Sequence, residues 1–570
     1  MENKKCRICA NEFEITDDEI KFLSDVSPEI AGKKYEIPAP HLCPVCRSRN
    51  RLVFRNLRNL NKIQDEKTGK QIFTHFDETV KFPVYDTVYW WSDAWDGTQF
   101  GRDYDLSRSF FEQFKDLYGV APAPARYILN VEDCDYTNGI DTSKHCFLAF
   151  NISGSENCFY VSDVQSSLNC LDCLGIQNCQ LCYECIRCIN CYDIKYSLRC
   201  HTCRESMFLS DCRSCSNCIG CVNLTNKQYH ILNKEVSKEE FEAKVKELQN
   251  LDNIGKFKVE FQKFQLGFPK RFYYGLNTEN CSGDDISNSK NCKNTFYAEN
   301  AEDIKYGNFI FNAKNCMDYD VFGDHSNWIY QCVATGDHCS NDIYCMGCWS
   351  SSNNNMYSNL IVGCKNCFGC SSLKHKEYCI LNKQYTKEEY EELVPEIIEK
   401  MMSDREWGQF FPFSMSPFSF NETLAQEYYP LSKDEIERLG CGYKEPTDLV
   451  PANLETIDSS TLPKTIDEVD ESICTKVIKC KESGRLYQIQ KGELGFYQSK
   501  KIPLPQLHHE VRHMNRVKQR NPYLLWNRDC ACQGECQQHQ GQCENKFETS
   551  FAPDRQEKVF CERCYQNVIK

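Results

Sequence analysis

Two cysteine pairs open the chain, Cys6-x2-Cys9 and Cys43-x2-Cys46, with a proline inside the second. A C-x2-C knuckle presents two thiolates to one side of a tetrahedral ion, so the two pairs read as a zinc ribbon with 33 residues between knuckles. All four positions are taken by thiolate, which leaves no place for a reactive water and points to a structural ion. A second knuckle, Cys561-x2-Cys564, stands near the end, and its partners come from Cys530, Cys532, Cys536 and Cys543. The expected set is Cys532, Cys543, Cys561 and Cys564, giving two structural zinc ions per chain. The stretch PAPHLCPVCRSRNRL at 38–52 also lines up with PLPQLHHEVRHMNRV at 503–517, where His508 and Val511 replace Cys43 and Cys46. The first half of the C-terminal module is therefore a degenerate ribbon, and whether Cys480 and His508 keep a third site stays open.

Between these ends lies CQLCYECIRCINCYD, with Cys179, Cys182, Cys185, Cys188 and Cys191 three apart. A metal cluster, an iron–sulfur carrier and a structural ladder all fit that spacing in isolation. The surroundings favour the ladder. Sixteen cysteines from Cys134 to Cys221 are separated only by multiples of three, and asparagine precedes several of them, at Asn157, Asn169, Asn178, Asn190 and Asn217. Asparagine tolerates left-handed backbone and suits a corner. A ferredoxin-type run ends C-x3-C-P, which is missing, and a cluster needs four thiolates at one point rather than a lattice. Thiols of this kind serve as small, adaptable apolar side chains.

The ending NCIGCVNLTNKQYHILNKEVSKEEFEAKVKEL recurs 149 residues later as NCFGCSSLKHKEYCILNKQYTKEEYEELV, a tandem duplication. Signatures spaced 24 and 23 residues in the second copy, with a half-period near 12, are those of a parallel β-solenoid, whose coils bury an inner face only by stacking. Each copy ends in a helix with a capping box, at Ser237 with Glu240 and at Thr386.

Six basic residues follow the first ribbon without an acidic one: Arg47, Arg49, Arg51, Arg55, Arg58 and Lys62. Arg512, Arg516, Lys518, Arg520 and Arg528 follow its degenerate counterpart. On a chain of net charge −14 these are local positive stripes suited to phosphates, and RNA or a ribonucleoprotein is the partner they imply; an internally paired face is the alternative. Asp318, Asp320 and Asp324, beside His325 and Trp328, supply the acid/base cluster that a carbohydrate-active or hydrolytic β-helix enzyme requires, though solvated turns account for them better. Thiol-rich metal handling or Fe–S redox chemistry is a further alternative. No nucleotide-binding glycine loop, Walker lysine, HExxH helix or nucleophile elbow is present, so a non-enzymatic zinc-containing scaffold is the leading expectation.

These residues sit on a chain of 570 residues, 41% hydrophobic and 12% aromatic, long enough for several cores. Residues 1–80 form the ribbon module with its basic stripe. Residues 81–130 are an aromatic connector with a short helix, where Trp90, Trp91 and Trp95 are expected to pack a junction. Residues 131–250 are the first solenoid copy plus helix, 251–275 a connector, and 276–400 the second copy plus helix. An aromatic strap, a short helix capped by Ser432 and Glu435, and an acidic linker occupy 401–470, before the C-terminal module at 471–570. Neither a signal-peptide core nor an 18-residue apolar run appears, and forty cysteines in such a chain suit a reducing cytoplasm. Partners along the solenoid face are expected, and no membrane.

CPVCRSRNRLVFRN, YWWSDAWDGTQFGRDYDLSRSFFEQF, SPFSFNETLAQEYYPLSKDE and FETSFAPDRQEKVFCERCY together resemble a cysteine-rich zinc-ribbon family of candidate-phyla bacteria of the Patescibacteria type. The resemblance spans nearly the whole chain. It implies a source and an architecture, and neither an activity nor catalytic residues.

Overall fold

The computed structural model describes residues 2–448, 450 and 454–569. The chain is mainly β, with parallel pairing in its centre and cysteine clusters at its two ends. Its largest sheet has eight strands, from Gly275–Glu279 to Ser371–Lys374, in sequence order. The corresponding part of the first copy holds a four-stranded and a five-stranded sheet joined by single bridges.

The local cause of this pattern is a three-residue rhythm. Every third residue from Asn130 to Leu232 has positive φ, including all five asparagines that precede cysteine, at 51° to 55°. Such a conformation costs an ordinary side chain about 1–2 kcal/mol, which explains the asparagines and glycines. Where Leu181, Glu184 and Arg187 adopt it, the parallel ladder offsets the strain: Leu168 N–H donates to Cys179 O and Leu168 O accepts from Leu181 N, both near 3.0 Å or below. The residue after each corner points inward. Parallel partners lie 12 residues apart, as in Leu171 with Tyr183 and Leu174 with Ile186, so four three-residue sides make one step. The repeat expected near 23 is thus two steps of 12.

Inward positions stack into columns, and one of them reads Ser143, Ser155, Ser167, Cys179, Cys191, Cys203 and Cys215. Ser155 Oγ donates to Ser153 O at 3.0 Å, and in the same column Cys179 Sγ donates to Gln177 O at 3.3 Å. A thiol therefore fills the role of a hydroxyl with a more apolar body, which suits a dry interior. In the second copy three successive steps, Met317 to Tyr330, Ile343 and Met356, are 13 residues long. The added residues gather near Gly323, Asp337 and Ser351, at left-handed or glycine backbone.

The helices capped by Ser237 with Glu240 and by Thr386 with Glu389 run over Lys238–Glu247 and Lys387–Ser403, with both capping boxes formed. A further helix, Leu251–Gln265, occupies the segment expected to be a connector and buries Phe257 and Phe261 against Phe208. Trp90 and Trp95 are buried, with Trp95 Nε1 donating to Trp90 O at 2.8 Å, and they pack with Leu360 and Val362 of the second copy. Trp91 stays partly exposed. The strap carries Phe410, Phe411 and Phe420 into the largest core, where Phe54 and Tyr357 also lie. Among the described residues no helix is long and apolar enough to cross a membrane.

Candidate metal centres

A tight hairpin between strands Glu2–Lys5 and Glu12–Ile15 carries the first knuckle, closed by Ala10 N donating to Cys6 O at 3.0 Å with Ala10 at φ 61°. Cys43 is the N-cap of the helix Pro44–Leu52, and Cys46 lies in its first turn. Partial positive charge at a helix N-terminus favours thiolate there. Cys6, Cys9, Cys43 and Cys46 bring their sulfurs within 4.8 Å of one another, with Cys9 Sγ and Cys43 Sγ 3.6 Å apart. Hydrogen bonding from the Cys46 thiol, working against burial, holds Cys43 down at about 5. The four expected residues thus form one group able to hold a metal ion, and its all-sulfur donors suit a thiophilic ion such as zinc or iron.

At the other end the grouping differs from the expected one. Cys543, Cys561 and Cys564 come together with Cys530, while Cys532 groups with Cys536, His539 and Cys564. The reason is local: Cys530 closes the strand Trp526–Asp529 and its sulfur accepts from Cys561 N at 3.3 Å, whereas Cys532 has already turned into the following loop. Cys561 caps the helix Glu562–Val568, as Cys43 caps its own. Burial acts to raise Cys561, and the Asn545 amide donating to its sulfur at 3.3 Å helps outweigh that, leaving it at about 7. The C-x3-C-x2-H spacing of Cys532, Cys536 and His539 is the sequence signal that marks this second group.

Cys480 and His508 do not belong to any such group among the described residues. Cys480 N donates to Arg485 O at 2.9 Å and Gly484 N to Cys480 O at 3.0 Å, repeating the bonds of Cys6 N to Asn11 O and Ala10 N to Cys6 O. The hairpin is the same; Ser483 and Val511 stand where Cys9 and Cys46 supply sulfur, so two donors are gone. Among the described residues, none of the cysteines from Cys134 to Cys379 enters a metal-ligand group either.

Most arginines of the basic stripes are paired or packed inside the molecule, as the internally paired alternative expects. Arg47 Nε lies 2.8 Å from Asp318, and Arg51, fully buried, meets Asp320 at 2.7 Å and Asp318 at 3.4 Å. Arg512 and Arg516 meet Asp172 at 3.3 and 2.9 Å. Arg58 pairs with Glu510 at 2.8 Å, Arg520 packs over the rings of Tyr428 and Tyr523, and Arg55 packs over Tyr127. Arg49 is half-buried, donating to Tyr429 O at 3.3 Å, and Lys518 is exposed. Buried guanidinium–carboxylate pairs of this kind need their partners, since removing one side leaves an uncompensated charge. Asp318 and Asp320 are consequently neither solvated turns nor a free acid/base pair. Asp324 and His325 lie apart from them at the surface, bonded to each other at 2.8 Å.

No family model matches the chain. No curated protein matches it either. Among solved structures it is similar to a putative acetyltransferase from Desulfovibrio desulfuricans G20, 9% identical over 43% of this chain and 65% of that one, with a TM-score of 0.09. A likeness at that score carries no argument about fold or activity.

Proposed function

We propose that the protein is a non-enzymatic, zinc-stabilised binding scaffold: a duplicated parallel β-solenoid clamped by a metal-ribbon module at each end. The observation that carries this reading is the closure of the cysteine groups. Each has four sulfur or imidazole donors within 4.8 Å, with no carboxylate and no vacant ligand position for substrate. The inward 12-residue columns support the solenoid, and thiols bonded to backbone carbonyls support a structural use of the remaining cysteines. The resemblance to a zinc-ribbon family fits the same reading and adds no activity.

The scaffold offers a groove of about 670 Å3 between the two copies. That is within the usual size range of ligand sites. Arg187 and Arg199, held by Asp285, line it with the rings of Tyr297 and Tyr274 beneath them at 3.8 and 3.7 Å, and Arg213 and His201 stand along the same wall. Engagement of most stripe arginines inside the molecule counts against RNA as the partner.

Elemental analysis of protein purified without oxygen tests the reading. Zinc as the bound metal, in a colourless preparation, supports it; iron with visible charge-transfer absorption would replace it with a redox protein. RNA recovered above background after cross-linking, and lost on Lys518→Glu, would restore the nucleic-acid reading.

A further inference from the structure

We propose that the C-terminal cluster is a two-ion centre in which the Cys564 thiolate bridges the metals. This rests on reading the terminal cysteine groups as zinc sites, and it concerns how many ions they hold. One ion would take Cys530, Cys543 and Cys561; the other would take Cys532, Cys536 and His539; Cys564 belongs to both groups.

The position of Cys564 decides the matter. Its sulfur lies 3.7 Å from Cys543 Sγ in the first set and 3.3 Å from His539 Nε2 in the second. A tetrahedral ion takes four ligands, so a single ion in either set would leave three donors unused beside it. Two of those in the second set, Cys532 and Cys536, are buried. A thiolate has lone pairs enough for two metals, and sharing it satisfies both sets with seven residues.

The backbone is arranged around this sharing. Gly534 and Gly541, at φ 105° and 70°, let the loop after Cys530 double back over the helix that carries Cys564. His539 Nδ1 donates to Gly541 O at 3.0 Å, which fixes the tautomer and leaves Nε2 free as a ligand on the side of Cys564. Supporting N–H bonds reach the first set as well, from Asn545 to Cys561 Sγ and from Cys561 N to Cys530 Sγ. The corresponding place in the N-terminal module has Asp65, Asp86 and Tyr89 instead, with only a short turn from Asp65 to Lys70 and no second loop.

The test is native mass spectrometry of the full chain with elemental analysis, purified without oxygen. Three zinc ions per chain are expected, falling to two in Cys536→Ser and to two in Cys46→Ser. Cobalt-substituted wild type should show exchange-coupled ions, with a full uncoupled high-spin signal regained in Cys536→Ser. Two ions in the wild type, with none lost in Cys536→Ser and Cys532→Ser, would overturn the shared centre while leaving the structural-zinc reading intact. A chain that keeps the same metal count in Cys561→Ser would overturn both. Because the wild-type count and the cobalt coupling need no substitution, a misfolded variant does not rescue the proposal.

Discussion

The N-terminal and C-terminal modules share a hairpin-and-helix plan, yet their candidate metal groups lie in different places. Each has a ribbon position and a second position one hairpin later. The N-terminal module keeps four cysteines in the ribbon, while the C-terminal one has Cys480, Ser483, His508 and Val511 there. In the second position the roles reverse: Cys530, Cys561 and Cys564 at one end face Asp65, Asp86 and Tyr89 at the other. Even so, Asp65 accepts from Asp86 N at 3.2 Å just as the Cys530 sulfur accepts from Cys561 N. The local backbone therefore survives without sulfur. At the N-terminal end its stability passes to an apolar core, because the chain after Tyr89 continues into Trp90 and Trp95, both buried.

The clamps, in contrast, are kept at both ends. Arg47 and Arg51 project from one helix and Arg512 and Arg516 from the helix His509–Val517, each pair one turn apart. Their targets, Asp318 and Asp172, stand at equivalent places in the two copies, 146 residues apart. Arg47 packs over Tyr306 and Arg512 over Tyr160, again an equivalent pair. These clamps are crossed: the arginines of the N-terminal module grip the second copy and those of the C-terminal module the first.

This comparison can be broken by experiment, and the largest effect is expected from metal. Cys46→Ser should unfold the N-terminal ribbon, since structural zinc contributes on the order of 10 kcal/mol to small sites. Hydrogen exchange should then lose protection over residues 2–50 while 530–564 stays protected; equal loss at both ends would deny their independence. Next come the clamps. Arg51→Met should cost about 3–5 kcal/mol in urea unfolding, and Arg516→Met less, because Arg512 still faces Asp172. Equal costs would mean the two clamps do not differ in this way.

A third difference lies inside the columns. Asp342, fully buried, occupies an inward position where the first copy has Ile194, and it accepts from Asn355 N and Nδ2, both at 2.9 Å. Burial pushes its carboxyl up to about 7 from 3.8. The folded chain then holds a proton that the unfolded chain lacks between these values. Its contribution is full below pH 4 and is lost as pH rises through 7, a change on the order of 4 kcal/mol. Asp342→Asn should flatten the pH dependence of stability between about pH 4 and 7, and an unchanged profile would refute the assignment. The smallest effect is expected from Ser483→Cys combined with Val511→Cys. It should add one zinc per chain with little change in fold, and an unchanged metal count would show that the degenerate ribbon has lost its geometry as well as its ligands.

Much of the fold is legible in the order of residues alone. Cysteines at multiples of three, with asparagine before them, match the observed left-handed corner at every third residue, because that rhythm is local. The ribbon at Cys6, Cys9, Cys43 and Cys46 is readable for the same reason, each knuckle being four residues long. The C-terminal ligands are not: Cys530, Cys532, Cys536 and Cys543 lie within fourteen positions, and only the turns at Gly534 and Gly541 decide which sulfur meets which. The arginine stripes mislead, since their composition is that of a phosphate surface.

What the sequence determined by itself is the repeat, the duplication and the metal knuckles, all set by spacing over a few residues. Only the tertiary structure decided what the charges do. Arg47 meets a carboxylate 271 positions away and Arg516 one 344 positions away. Separations of that length leave no mark on local pattern, and burial against a carboxylate turns an apparent binding surface into a clamp.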